Sequence, residues 1–132
     1  MSRLSNSDVI TLIAAEAITA LQAVVIDSNG KAALADTTTG EQVDGIAQRS
    51  ASTGDAVEVV IFGRTKALAG DTLTAGTHSL LMVETATARL IPWANGAGTE
   101  YAVARVIFNQ NVTAYADGDE IEVIFTGASQ FA

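Results

Sequence analysis

Two stretches set a Gly-Asp pair before a run of β-branched apolar residues with Glu inside it: Gly54-Asp55-Ala56-Val57-Glu58-Val59-Val60-Ile61-Phe62, and Gly118-Asp119-Glu120-Ile121-Glu122-Val123-Ile124-Phe125 near the C-terminus. Each begins with Gly-Asp, a pair suited to a tight reversal because Gly accepts positive φ and Asp can bond its own backbone. Each continues in Val and Ile, which favour a pleated, half-buried strand. A period of two sets Glu58 opposite Val57 and Val59, and Glu122 opposite Ile121 and Val123, so both glutamates are expected in solvent or at an interface.

The rest of the chain reads as short strands between turns. Residues 1–8 form an N-terminal arm of Ser and Asn with Arg3 and Leu4 in it, and residues 9–132 form one β-rich domain. Val9–Ile13 is a strand. Ala14–Leu21 is a connection with room for one helical turn, and Val24–Asp27 is a strand again. Asn29-Gly30 predicts a two-residue type I′ hairpin into a return strand over Lys31–Leu34. A polar loop at Asp36–Glu41 precedes a strand over Val43–Arg49. Gly63 is expected to interrupt the first Gly-Asp strand, with Arg64–Leu68 a further one. Ala69-Gly70-Asp71 repeats the Gly-Asp device in shorter form. Ser79–Thr85 and Thr87–Trp93 pair around Ala86, with Pro92 at an edge or an end because it lacks the ladder donor. After the Gly-rich loop Ala94–Thr99 comes a strand over Tyr101–Phe108, then a polar connection, the second Gly-Asp strand and a tail from Gly127. Nine or ten short strands without a long helix predict an all-β fold, a small barrel or sandwich. The two Gly-Asp units are expected to pack as related halves, too few for a solenoid.

Charge and composition narrow the functions. The chain has 132 residues, no Cys and a formal net charge of −8. One domain of this size supports a core without disulfides, and thiolate metal sites are excluded. The seven basic residues are scattered, which argues against nucleic acid as a partner. No apolar run approaches a membrane span, and the polar start lacks a signal-peptide pattern, so a protein made and used in a cytoplasm, or released without the secretory route, is expected.

No constellation points to catalysis, a cofactor or a metal. Asp117-Gly118-Asp119-Glu120 lacks the spaced ligands of a calcium loop. His78 stands alone without a nucleophile elbow, and Gly96-Ala97-Gly98 has no following Lys or helix. Trp93, beside Pro92 and the Gly-rich loop, is a candidate interface anchor or a cap on the core. Glu58 and Glu122 would need a close pairing to act as a carboxylate dyad.

The order of motifs resembles the tailed-phage capsid cement, or head decoration, proteins, which include the lambda-type head stabilisers. It is carried by Val24-Val25-Ile26-Asp27 with Asn29-Gly30-Lys31, Val43-Asp44-Gly45-Ile46-Ala47, Gly54-Asp55-Ala56-Val57-Glu58-Val59 with Gly63, Ala69-Gly70-Asp71-Thr72-Leu73, and Val103-Ala104-Arg105 through Gly118-Asp119-Glu120-Ile121-Glu122-Val123. The family often has an Ala-Gly step where this chain has Ala20-Leu21-Gln22-Ala23. The resemblance implies a β-barrel or β-tulip-like sandwich, no enzymatic activity and no cofactor. It also implies attachment to the major capsid protein on the outer surface of the virion, after assembly in the host cytoplasm, as a homotrimer or a dimer. Arg3, Leu4 and Trp93 are the candidate capsid contacts, with binding placed on the arm and loops. The alternative is a glycan- or surface-binding domain of a tail, fibre or cell-surface protein, with Trp93 and Tyr101 in contact.

Overall fold

The computed structural model describes residues 7–94, 96 and 98–130, with the side chains of 128–130 excepted. Among the described residues there is no helix, and the strands are β1 (Ser7–Ile13), β2 (Ala23–Ile26), β3 (Ala32–Leu34), β4 (Gly45–Ala47), β5 (Ala56–Leu68), β6 (Leu73–Thr74), β7 (Leu80–Val83), β8 (Leu90–Pro92), β9 (Tyr101–Val106), β10 (Ala114–Tyr115) and β11 (Glu120–Gln130). The fold is all-β, a small antiparallel barrel or sandwich. One sheet runs in the order β3-β2-β4-β5-β11-β9-β7-β8, with β1 also paired to β5, and β6 and β10 form a separate ribbon. The ends of the large sheet are tied by loops: Gly40 N–H donates to the Val83 carbonyl, Ala86 N–H to that of Asp36, and Ala23 N–H to that of Ala88. Pro92 closes β8, the terminal strand of the order, where its missing donor costs no ladder bond.

The centre of the fold is β5, which runs unbroken through Gly63 as a single strand. On one edge it holds β1 along its first half, and on the other it holds β4 and then β11. Ser7 on one edge and Phe125 on the other both stand opposite Gly63, whose φ is 108°, so β1 and β11 flank it. On β5 Asp8 faces Phe62 and Val9 faces Val60, which leaves Ile61 as an extra, bulged residue. A bulge reverses which residues of its strand point to each face. Directly opposed residues share a face, and β1 alternates without a bulge, so Val57, Val59 and Phe62 lie on one face with Leu12, Ile10 and Asp8. Beyond the bulge Arg64 and Lys66 continue that face, while Gly63, Thr65 and Ala67 turn to the other with Phe125, Val123 and Ile121.

This reversal separates two cores. Val57 and Val59 pack with Ala14, Ile18, Val24, Ala32 and Ala47. Ile121, Val123 and Phe125 belong to the larger core with Ile46, Leu73, Leu81, Val83, Leu90 and Val103. The two Gly-Asp copies are therefore adjacent staves of one sheet that supply opposite faces. Their opening turns are alike in detail: Gly54 and Gly118 have φ of 91° and 92°, and the Asp after each accepts from the N–H three residues back, at Ser52 and Ala116.

Several expectations are corrected. β1 begins at Ser7, inside the stretch read as an arm, and residues 1–6 lie outside the described residues. Ala14–Leu21 forms no helical turn and is held by bridges from Ala14 to Ala32 and from Ile18 to Ala51. At Asn29-Gly30 only Gly30 has positive φ, because Asp27 Oδ1 accepts from the N–H groups of both Asn29 and Lys31 and widens the loop to three residues. Gly70 is not left-handed, so Gly70-Asp71 is no third copy; a Cβ there would lie 2.9 Å from Ile91 Cγ2, and packing explains the glycine. The tail expected from Gly127 continues β11 to Gln130, with Ser129 opposite Ala102 past an irregularity in the ladder.

Candidate functional site

A surface row crosses three neighbouring strands on the face that carries Phe62. Arg64 on β5 stands opposite Ile124 on β11, and Ile124 stands opposite Arg105 on β9. The alternation that buries Val123 and Phe125 sends Ile124 to the outside, where it is 39 % exposed. Phe62, the diagonal neighbour of Ile124, is 55 % exposed. Diagonal partners on one face lie roughly 7–8 Å apart, within reach of an aromatic ring. The pair thus forms an exposed apolar step between two arginines.

The charges around it are unevenly engaged. Arg64 Nε donates to Glu122 Oε1 at 3.2 Å, which leaves its terminal amino groups available. Lys66 stands opposite the same Glu122. The Arg105 side chain is exposed and makes no hydrogen bond or ion pair among the described residues. Three of the seven basic residues, Arg64, Lys66 and Arg105, thus share one face of a chain whose net charge is −8.

The row opens into a groove of about 580 Å³ lined by Arg64, Arg105, Ile124, Phe108, His78 and Ser79, among others. The loop after β6 forms one wall. Its backbone is pinned by the N–H groups of Thr77 and His78, which donate to the Thr74 carbonyl, and by Ala75 N–H, which donates to that of Thr113. His78 Nδ1 accepts from Thr74 N–H at 2.9 Å, so the neutral ring carries its proton on Nε2 as a donor.

The residues singled out in the sequence are placed differently. Arg3 and Leu4 lie outside the described residues. Trp93 is half-buried, its indole N–H donates to the Glu100 carbonyl at 3.1 Å, and it lines a smaller cleft of about 260 Å³ with His78 and Ser79. Tyr101 packs against the large core. Glu58 and Glu122 are solvent-facing, as expected. Glu58 is bonded to Arg49 Nε at 2.6 Å, and that hydrogen bond holds its carboxyl below the usual carboxylate range. The bulge puts Glu58 on the face opposite Glu122, whose partner Lys66 is eight positions farther along β5. At about 3.3 Å per residue the separation is on the order of 25 Å, too far for a dyad. No group of His, Cys, Asp and Glu able to hold a metal occurs among the described residues.

The sequence carries only part of the signal for the Phe62–Ile124 face. Ile124 follows Glu122 at the outward position of the second copy, and an apolar residue in phase with an exposed Glu marks an outward apolar side chain. Phe62 could not be placed in this way, because the bulge falls between it and Glu58.

No family model and no curated protein matches the sequence. Among solved structures, the chain is similar to the N base of the head fibre gp8.5 of bacteriophage phi29, with a TM-score of 0.64 over 94 % of this chain and 98 % of that one. At 13 % identity the likeness is one of fold, and it extends across nearly the whole of both chains.

Proposed function

We propose that the chain is a structural protein of a tailed-phage head, without enzymatic activity. In this reading it binds the outside of the mature shell and stabilises contacts between major capsid subunits. The observation that carries the reading is the end-to-end likeness to the base of a phage head fibre. The motif order in the sequence resembles head decoration proteins. The exposed Phe62–Ile124 step supplies a means of attachment. Fully burying a Phe or Ile contributes about 1.5–3 kcal/mol, so a half-exposed pair offers a modest gain per copy. Modest gains repeated over a shell, and multiplied within an oligomer, add up through multivalency. The same motif order supports a homotrimer, with a dimer as the alternative.

A second reading is favoured by the neighbour itself: the chain is the shell-bound base of a projecting fibre, with attachment as its task. Both readings require binding to the head. Purified protein mixed with undecorated, expanded heads is expected to co-sediment with them and to raise their resistance to heat. Protein that stays in the supernatant at every salt concentration contradicts both. Copies spread over the shell support cement; copies confined to a few positions with extra density above them support a fibre base.

A further inference from the structure

The groove beside Ile124 has features that shell attachment in general does not require. Two arginines flank one exposed isoleucine in a single cross-strand row. Across two strand spacings their backbones are roughly 10 Å apart, close enough for both guanidinium groups to converge above Ile124. One of them, Arg105, has no partner among the described residues in a chain with 15 acidic residues. The groove also offers the His78 ring and the Ser79 hydroxyl on its wall, and Val106, Ile107 and Phe108 as apolar lining.

Resting on the reading above, we propose that this groove is a carboxylate-recognition site that takes an acidic segment of the shell protein, with Arg64 and Arg105 closing on the carboxylate and an apolar neighbour of it seated beside Ile124. Guanidinium groups match carboxylates in plane and in donor spacing, and charge-assisted bonds are the stronger ones. Arg64 is held by Glu122 through Nε alone, so it can add a second carboxylate without giving up the first. The overall charge of −8 decides against a polyanion such as DNA, which would feel the whole repulsive field. A single carboxylate in contact with two arginines is different, because charges beyond a Debye length of about 8–10 Å are largely screened.

The test has two arms. In the first, the isolated protein is titrated with the blocked peptide acetyl-Leu-Asp-Glu-Leu-amide and with its uncharged control acetyl-Leu-Asn-Gln-Leu-amide. The readout is NMR of the Arg64 and Arg105 Nε–H groups and the Ile124 methyls. Saturable shifts with the acidic peptide, lost with the control and in Arg105→Glu, are expected. In the second arm, undecorated heads are titrated with wild type, Arg105→Lys and Arg105→Glu, each checked for an unchanged circular dichroism spectrum. Arg105→Glu is expected to bind at least tenfold more weakly, with Arg105→Lys in between. Equal shifts with both peptides, or heads bound equally by wild type and Arg105→Glu, overturn the site. Wild type that binds the acidic peptide but not heads keeps the carboxylate site and overturns its assignment to the shell. Self-association that Arg105→Glu abolishes, without peptide binding, gives the groove to the acidic turn 117–120 of a second copy and overturns the proposal.

Discussion

Phe62 and Phe125 end the two copies of one motif, yet Phe62 is 55 % exposed and Phe125 is fully buried. The difference follows from the extra residue at Ile61, which turns the first copy over before its phenylalanine is reached. The two residues should therefore respond oppositely to truncation. Phe125→Ala opens a cavity in the large core and is expected to cost about 3–5 kcal/mol in urea unfolding. Phe62→Ala is expected to leave stability within about 0.5 kcal/mol and to weaken head binding instead. The Arg49–Glu58 pair is of another kind, exposed and local. The hydrogen bond from Arg49 lowers the folded-state pKa of Glu58, so its stabilisation is present above the unfolded-state value and is lost as pH falls through the folded one. In Arg49→Ala the Glu58 carboxyl, followed by NMR, should titrate at higher pH than in wild type. The small difference in stability between the two proteins should vanish in acid, once Glu58 is protonated in both.

At the scale of the element, β5 shows what sequence patterning can and cannot reveal. The strand residues, the Gly-Asp turns and the outward glutamates were legible, because a period of two and a turn dipeptide are local signals. The bulge was not. In the run Val59-Val60-Ile61-Phe62 every residue is apolar, so a slip of one position leaves no polar residue out of phase to mark it. Gly63 was visible, but as a break; its φ of 108° instead lets one strand carry on with β1 along one edge and β11 along the other. Gly63→Ala is expected to cost about 1–3 kcal/mol, since a side chain is strained in that conformation. Amide exchange would then show loss of protection on both edges of β5 at Gly63, in β1 and in the β11 pairing. Loss confined to one strand would contradict the placement of Gly63 between them. The Asn29-Gly30 turn shows the same limit: its residues signalled a hairpin, but the Asp27 carboxylate chose which one.

At the scale of the whole molecule, the all-β class was legible from turn spacing and from the absence of a long helical period. The strand order was not, because pairing β5 with β11 joins residues far apart in sequence and the sheet's ends are joined by loop bonds such as that from Gly40 to Val83. The site was only partly legible for the same reason. Arg64, Arg105 and Ile124 become neighbours only through the pairing of β11 with both β5 and β9, which no local motif signals. The described fold places basic and apolar groups together on one sheet face of an otherwise acidic protein, and that face is the proposed surface of head attachment. An electron cryo-microscopy map of heads decorated with the wild-type protein tests this most directly. It should show the chain on the outer shell with Phe62, Ile124 and Arg105 against the capsid protein; a map in which that face points to solvent, with contact made elsewhere, would contradict it.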